Sequence, residues 1–369
     1  MVKSNVERRK KRRNRKLFLL LLMLVTTGVM VSTTTYAWFT SNKTVSVSDV
    51  QVNVASKNGI QISADGTTWK ALVQLADLRA AKAGNYPGAI NQIPGTAKTI
   101  EPVSTGLNVD ANGQMEMFYG VVETSDVKAS CSTGNAAHST EEACTNAGGT
   151  WNAGTEGEYI LTATKETEAD GDTGKFVAFD LFFKVDVETQ VYLAAKGSGV
   201  KATGDDTGIK NASRFAFVEL GNTPAGSDLK TIQSLNSGAA SAVYSWEPNF
   251  DIHTASGVSN AKDVYDIDTT ESNGDLIPFS GVVSEITKDQ NILMSKATQT
   301  NYSTLFKDVV PTISTENAWS TNKAAFTLKA GITKMRVYMW VEGQDVDCEN
   351  TASGSEITFR LELKVPENS

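Results

Sequence analysis

The chain has 369 residues, with 34 basic and 42 acidic side chains, a formal net charge of −8, two histidines and three cysteines. Nine basic residues, Lys3, Arg8, Arg9, Lys10, Lys11, Arg12, Arg13, Arg15 and Lys16, stand before Leu17 with a single acid, Glu7, so residues 38–369 hold 25 basic and 41 acidic groups, a net −16. A body of that sign repels nucleic acid and the phosphates of lipids and teichoic polymers while attracting divalent cations, so the chemistry of a nucleic-acid binder is excluded.

The basic run instead marks topology, because it directly precedes the apolar stretch Leu17–Val31. That stretch has the length of an export-signal core and falls short of the roughly 20 apolar residues of a permanent span. Thr35 and Ala37 place small residues before a cut between Ala37 and Trp38, so residues 1–37 are expected to be a signal peptide. An uncleaved N-terminal membrane-anchor helix is the alternative. Either way residues 38–369 are expected outside the cell or on its surface, exported by the Sec route, with the membrane touched only through the leader.

Behind the cut comes Trp38-Phe39, then the alternation Val45, Val47, Val50, Val52, Val54, the period of a strand with one buried face. Its parity changes at Ser48-Asp49, which predicts a bulge there. Further strands are expected at 59–63, 115–122, 159–164, 176–187, 190–195, 214–220, 324–328, 335–341 and 356–365, with brief helices near 68–79 and 227–235. The segments near 124–175, 196–212 and 222–290 are rich in Gly, Ser, Thr and Asp and read as loop-rich insertions. Strands 335–341 and 357–365 alternate cleanly and are expected to pair as antiparallel neighbours. The fold class is all-β, an antiparallel β-sandwich.

Cys131 and Cys144 bracket a small polar loop that ends in Gly148-Gly149-Thr150-Trp151. In an exported chain this spacing predicts a disulfide, with Cys348 left as a thiol. Catalytic constellations are scarce: His138 and His253 are far apart, and neither a zinc-binding His-Glu-x-x-His nor a Gly-x-Ser-x-Gly occurs. No enzyme is expected, and no cofactor unless calcium. Asp170-Gly171-Asp172, Asp266-Ile267-Asp268 and Asp345-Val346-Asp347 each offer carboxylates on alternate residues, the start of a hard-cation site.

The run Thr35-Tyr36-Ala37-Trp38-Phe39-Thr40-Ser41-Asn42, with alternating valines behind it, resembles the processing region of TasA- and camelysin-type proteins. These are surface and biofilm-matrix fibre subunits of Gram-positive bacteria matured by the signal peptidase SipW. Residues 176–184, 211–217, 246–249 and 336–345 also resemble stretches of exported Gram-positive proteins with this leader. The resemblance implies a jelly-roll-like sandwich and a structural role. Camelysin itself has been classed as a metalloprotease, but two isolated histidines offer no zinc constellation, and that activity is not carried over.

Three functions follow as expectations. The first is a non-enzymatic structural subunit of a cell-surface or biofilm-matrix fibre, self-associating or bound to other surface proteins. Its assembly strand would comprise Trp38, Phe39, Val45, Val47, Val50, Val52 and Val54, added to the sheet of a neighbouring copy. The second is a monomeric adhesin or glycan-binding module with Trp246, Trp319 and Trp340 as stacking rings. The third is a secreted hydrolase using carboxylates such as Asp205 and Asp206 or Asp266, Asp268 and Asp275. With no Leu-Pro-x-Thr-Gly motif or apolar tail in the C-terminal stretch, retention is expected to come from assembly, an uncut leader or another component.

Overall fold

The computed structural model describes residues 45–55, 59–93, 99–124, 130–133, 140–152, 158–168, 174–194, 198–203, 208–248, 252–259, 279–283, 290–295, 306–313, 324–345, 347–348 and 356–365. The leader, Ala37, Trp38 and Phe39 lie outside these residues, as do His138, Trp319, and Asp170, Asp172, Asp205, Asp206, Asp266, Asp268 and Asp275. Among the described residues no helix is long and apolar enough to cross a membrane.

The strands in the first half are β1 (Val45–Ala55), β2 (Gln61–Ser63), β3 (Leu72–Gln74), β4 (Asn91–Gln92), β5 (Thr99–Ile100), β6 (Met117–Thr124), β7 (Ser130–Cys131), β8 (Trp151–Asn152), β9 (Glu158–Glu166) and β10 (Val177–Val185). Those in the second half are β11 (Thr189–Leu193), β12 (Gly199–Thr203), β13 (Ser213–Thr223), β14 (Ala242–Trp246), β15 (Phe279–Val282), β16 (Gln290–Ser295), β17 (Phe306–Val309), β18 (Phe326–Leu328), β19 (Gly331–Val341) and β20 (Glu356–Lys364). Short helices α1 (Leu75–Ala83), α2 (Glu141–Asn146) and α3 (Leu229–Gln233) interrupt them.

The predicted alternation in β1 is realised. Val45, Val47, Val50, Val52 and Val54 are all buried, and the register slips between Val47 and Asp49, at the parity change. The strand is interior, parallel to β20 on one side and antiparallel to β3 and β5 on the other. With β11, β12 and β18 these strands form a seven-stranded sheet. The expected helix over 68–79 starts instead at Leu75, because Val73, facing Val52 and 1% exposed, commits Leu72–Gln74 to the sheet.

The facing sheet orders β14, β13, β19, β10 and β2, with β4 beside β10. The two sheets share one apolar core. Phe359 of β20 meets Phe215 of β13 edge-on with centroids 5.4 Å apart, and Phe326 of β18 lies 5.0 Å from Phe217. Such aromatic pairs add about 0.5–1.5 kcal/mol each beyond their buried area.

β19 and β20 therefore belong to opposite sheets, against the expectation that they are neighbours. β19 pairs with β10 and β13, while β20 pairs with β1, β11 and β12. Clean alternation shows that each strand has an inner face; it carries no information on which sheet holds it. Two presumed insertions also supply sheet strands: β12 falls within 196–212 and β14 within 222–290. A third layer covers the outer face of the second sheet. There Val103, Met115, Met117 and Phe176 pack with Tyr338, Trp340, Ala216 and Val218 in a second apolar cluster.

The Cys131–Cys144 disulfide is formed and closes a hairpin of β7 and β8 around α2. A Cβ on Gly149 would stand 2.6 Å from the Cys131 sulfur, so only glycine fits against the bridge.

Val52→Ala should lower stability by about 2 kcal/mol, whereas Arg360→Ala, on the exposed face of β20, should stay within about 0.5 kcal/mol. Urea unfolding of the two variants measures the contrast.

Candidate functional site

β19 is buried on both faces, so the polar residues on its outer side, Lys334 and Arg336, and Glu342 directly after its last residue, must find partners inside the protein. The first group gathers on Asp180 of β10, directly across from Arg336 in the register. Asp180 accepts from Arg336 Nε at 2.8 Å and from the Tyr86 hydroxyl at 2.7 Å, and Lys334 Nζ lies 3.5 Å away. Burial alone would raise the Asp180 pKa, but Arg336 and Lys334 outweigh it and hold the carboxyl below its ordinary range. Glu168 accepts from Arg336 and from the Tyr338 hydroxyl, yet burial pushes its pKa up to about 7.

The second group sits where β13 begins and β14 and β19 end. Arg214 lies opposite Trp340, and one residue beyond the Phe215–Trp246 pair the chain places Glu247. Arg214 Nη2 reaches Glu247 at 2.5 Å and also bonds Asp345, with all three side chains 3% exposed or less. Asp345 enters through a turn in which its Oδ1 accepts from the Asp347 amide at 2.7 Å and its carbonyl accepts from the Cys348 amide. Asp347 is thereby aimed inward, where Asn211 Nδ2, His253 Nδ1, and the Thr254 amide and hydroxyl contact its two oxygens at 2.7–3.1 Å.

Thr254 also caps the helical turn that follows it, accepting from the Gly257 amide at 3.0 Å. Backbone approaches Asp347 so closely that a Cβ on Gly257 would lie 2.1 Å from its Oδ1. Gly208, at φ +85°, brings the opposite wall against the Cβ and carbonyl of Asp347 and the Thr254 methyl. One aspartate thus ties the 208–211 loop and the 252–259 segment to the turn after β19.

Carboxyls outnumber fixed cations at this end. Burial, only partly offset by Arg214, raises the Glu247 pKa. Burial likewise pushes Glu342 up to about 8, although Trp340 Nε1 and the Gln344 amide donate to it. For His253 burial works toward neutrality, but the hydrogen bond to Asp347 and the charges of Asp345 and Asp347 prevail and raise its pKa.

His253, Asp345 and Asp347 bring one donor atom each within 4.8 Å of one another. Two of these, Asp345 and Asp347, were expected from the sequence as cation ligands. His253 was not, because 94 residues separate it from Asp347 and no local spacing links them. Arg214 and Glu247 were likewise not singled out. Trp246 and Trp340 are 1% and 0% exposed and belong to the core, so neither can stack on a sugar. Cys348 is fully buried.

The chain matches no family model, no curated protein and no solved structure.

Arg214→Met should cost about 3–5 kcal/mol at pH 8 by leaving Asp345 and Glu247 buried without their cation, and less at pH 5, where folded Glu247 keeps its proton. Calorimetry at the two pH values reads the difference.

Glu168, Glu247 and Glu342 have folded pKa values above the ordinary 4.5, so between that value and about 8 the folded chain holds protons that the unfolded chain has released. Their contribution to stability is full below 4.5 and declines as the pH rises. Asp65 and Asp180, with lowered pKa values, contribute above 3.8 and lose that contribution on acidification. The urea midpoint should therefore be highest near pH 4–5 and fall toward pH 8, with a shallower fall in Glu247→Gln.

Proposed function

We propose that this protein is an exported, non-enzymatic structural subunit of a cell-surface or biofilm-matrix fibre, linked through the strand behind its leader. The observation that carries the reading is β1. It fills an interior slot between β20 and the β3 and β5 pair, and contributes five buried valines. The strand of a second copy would make the same contacts in the same slot. Exchange between subunits therefore loses no native contact, and a head-to-tail exchange that does not close yields a filament.

Trp38 and Phe39, immediately ahead of β1, are the anchors in this scheme. The resemblance of residues 17–55 to fibre subunits, the export leader and the acidic body support the same reading. So do the two packed sheets, which suit a jelly-roll-like architecture. The membrane enters only through the leader, as signal or anchor helix.

Gln51 and Arg360 are register partners on the outer face of β1 and β20. A Gln51→Cys, Arg360→Cys variant of the mature protein, assembled and then oxidised, should give a ladder of covalent multimers on a non-reducing gel, and fibres in electron micrographs. A gel showing monomers alone would remove strand exchange and leave the monomeric adhesin.

A further inference from the structure

The geometry points to a binding site for a divalent first-row transition ion of the zinc class, held by His253 Nδ1, Asp347 Oδ2 and Asp345, that staples the 252–259 segment to the turn after β19. Zinc bonds of about 2.0–2.2 Å to nitrogen and oxygen, opened to about 90–110°, separate two ligand atoms by roughly 2.9–3.4 Å. His253 Nδ1 and Asp347 Oδ2 are 3.1 Å apart, and the Asp345 donor lies within 4.8 Å of both. The pair now shares one proton, and an ion in its place would keep both atoms near their present positions.

The second line of support is polar atoms left over. Glu247, 2% exposed, uses Oε1 on Arg214 while its buried Oε2 has no partner, and buried His253 Nε2 has none either. Glu247 borders the cluster through Arg214, whose Nη2 holds both its Oε1 and an Asp345 oxygen. With Nδ1 on an ion, Nε2 would carry the ring proton as a donor, and the orphaned Glu247 oxygen is the acceptor that an ion-bound water would satisfy.

The donor set also selects the ion. An imidazole among carboxylates suits zinc and its neighbours, whereas calcium prefers an all-oxygen shell of six to eight ligands. Among the described residues no other group of three such ligands comes together. The inference is independent of fibre assembly.

The test uses untagged, chelator-stripped protein of the full chain. Cobalt should produce visible ligand-field absorption that saturates at a single ion per chain and is bleached by zinc. Zinc should raise the melting temperature. His253→Ala should weaken binding by about 100-fold or more, while His138→Ala, which removes the only other histidine, should leave it unchanged.

Absence of saturable cobalt absorption in the wild-type protein would overturn the inference, whatever the variants do. So would binding that follows His138, or stabilisation by calcium alone that is indifferent to His253→Ala. Should His253→Ala fail to fold, the wild-type titration and Asp345→Asn decide the matter.

Discussion

A strand that is buried on both faces cannot carry an unpaired charge, and β19 obeys that rule at considerable expense in partners. Lys334 and Arg336, and Glu342 just past the strand's end, lie on the side away from the shared core, under a second buried layer. Desolvating each ion costs several kcal/mol unless an opposite charge and hydrogen bonds replace water. Asp180, Glu168 and Tyr86 answer at one end; Trp340 and the Gln344 amide answer at the other. The outer layer is therefore fixed by charge geometry as much as by apolar contact.

How much of this is legible in the sequence depends on whether a feature is local. The five valines of β1 and the slip at Ser48-Asp49 are local, and both emerge from period two alone. The parallel partner of β1 is not, because β20 lies about 310 residues later in the chain. β14 escapes notice because Ala242-Val243-Tyr244-Ser245-Trp246 is short and follows a Ser- and Gly-rich run, although Trp246 is one of the largest core side chains. Arg336, Tyr338 and Trp340 look like the polar side of an amphipathic strand, and only the covering layer shows that they are buried.

The candidate site shows the same division. Asp345 and Asp347 declare themselves by spacing, and the turn that aims them inward is short-range. Glu247 reaches them only because β13 begins where β14 and β19 end, and His253 only because the 252–259 segment packs on Asp347. A long-range sheet of this kind is completed late, once the final strand exists, which slows folding relative to local topologies.

β1 and β20 run in the same direction, Ser46 beside Glu356 and Ala55 beside Lys364. Nine residue steps at about 3.3 Å put the upstream end of the first strand roughly 30 Å from the downstream end of the last. Val45 and Lys364 therefore lie at opposite ends of this strand pair.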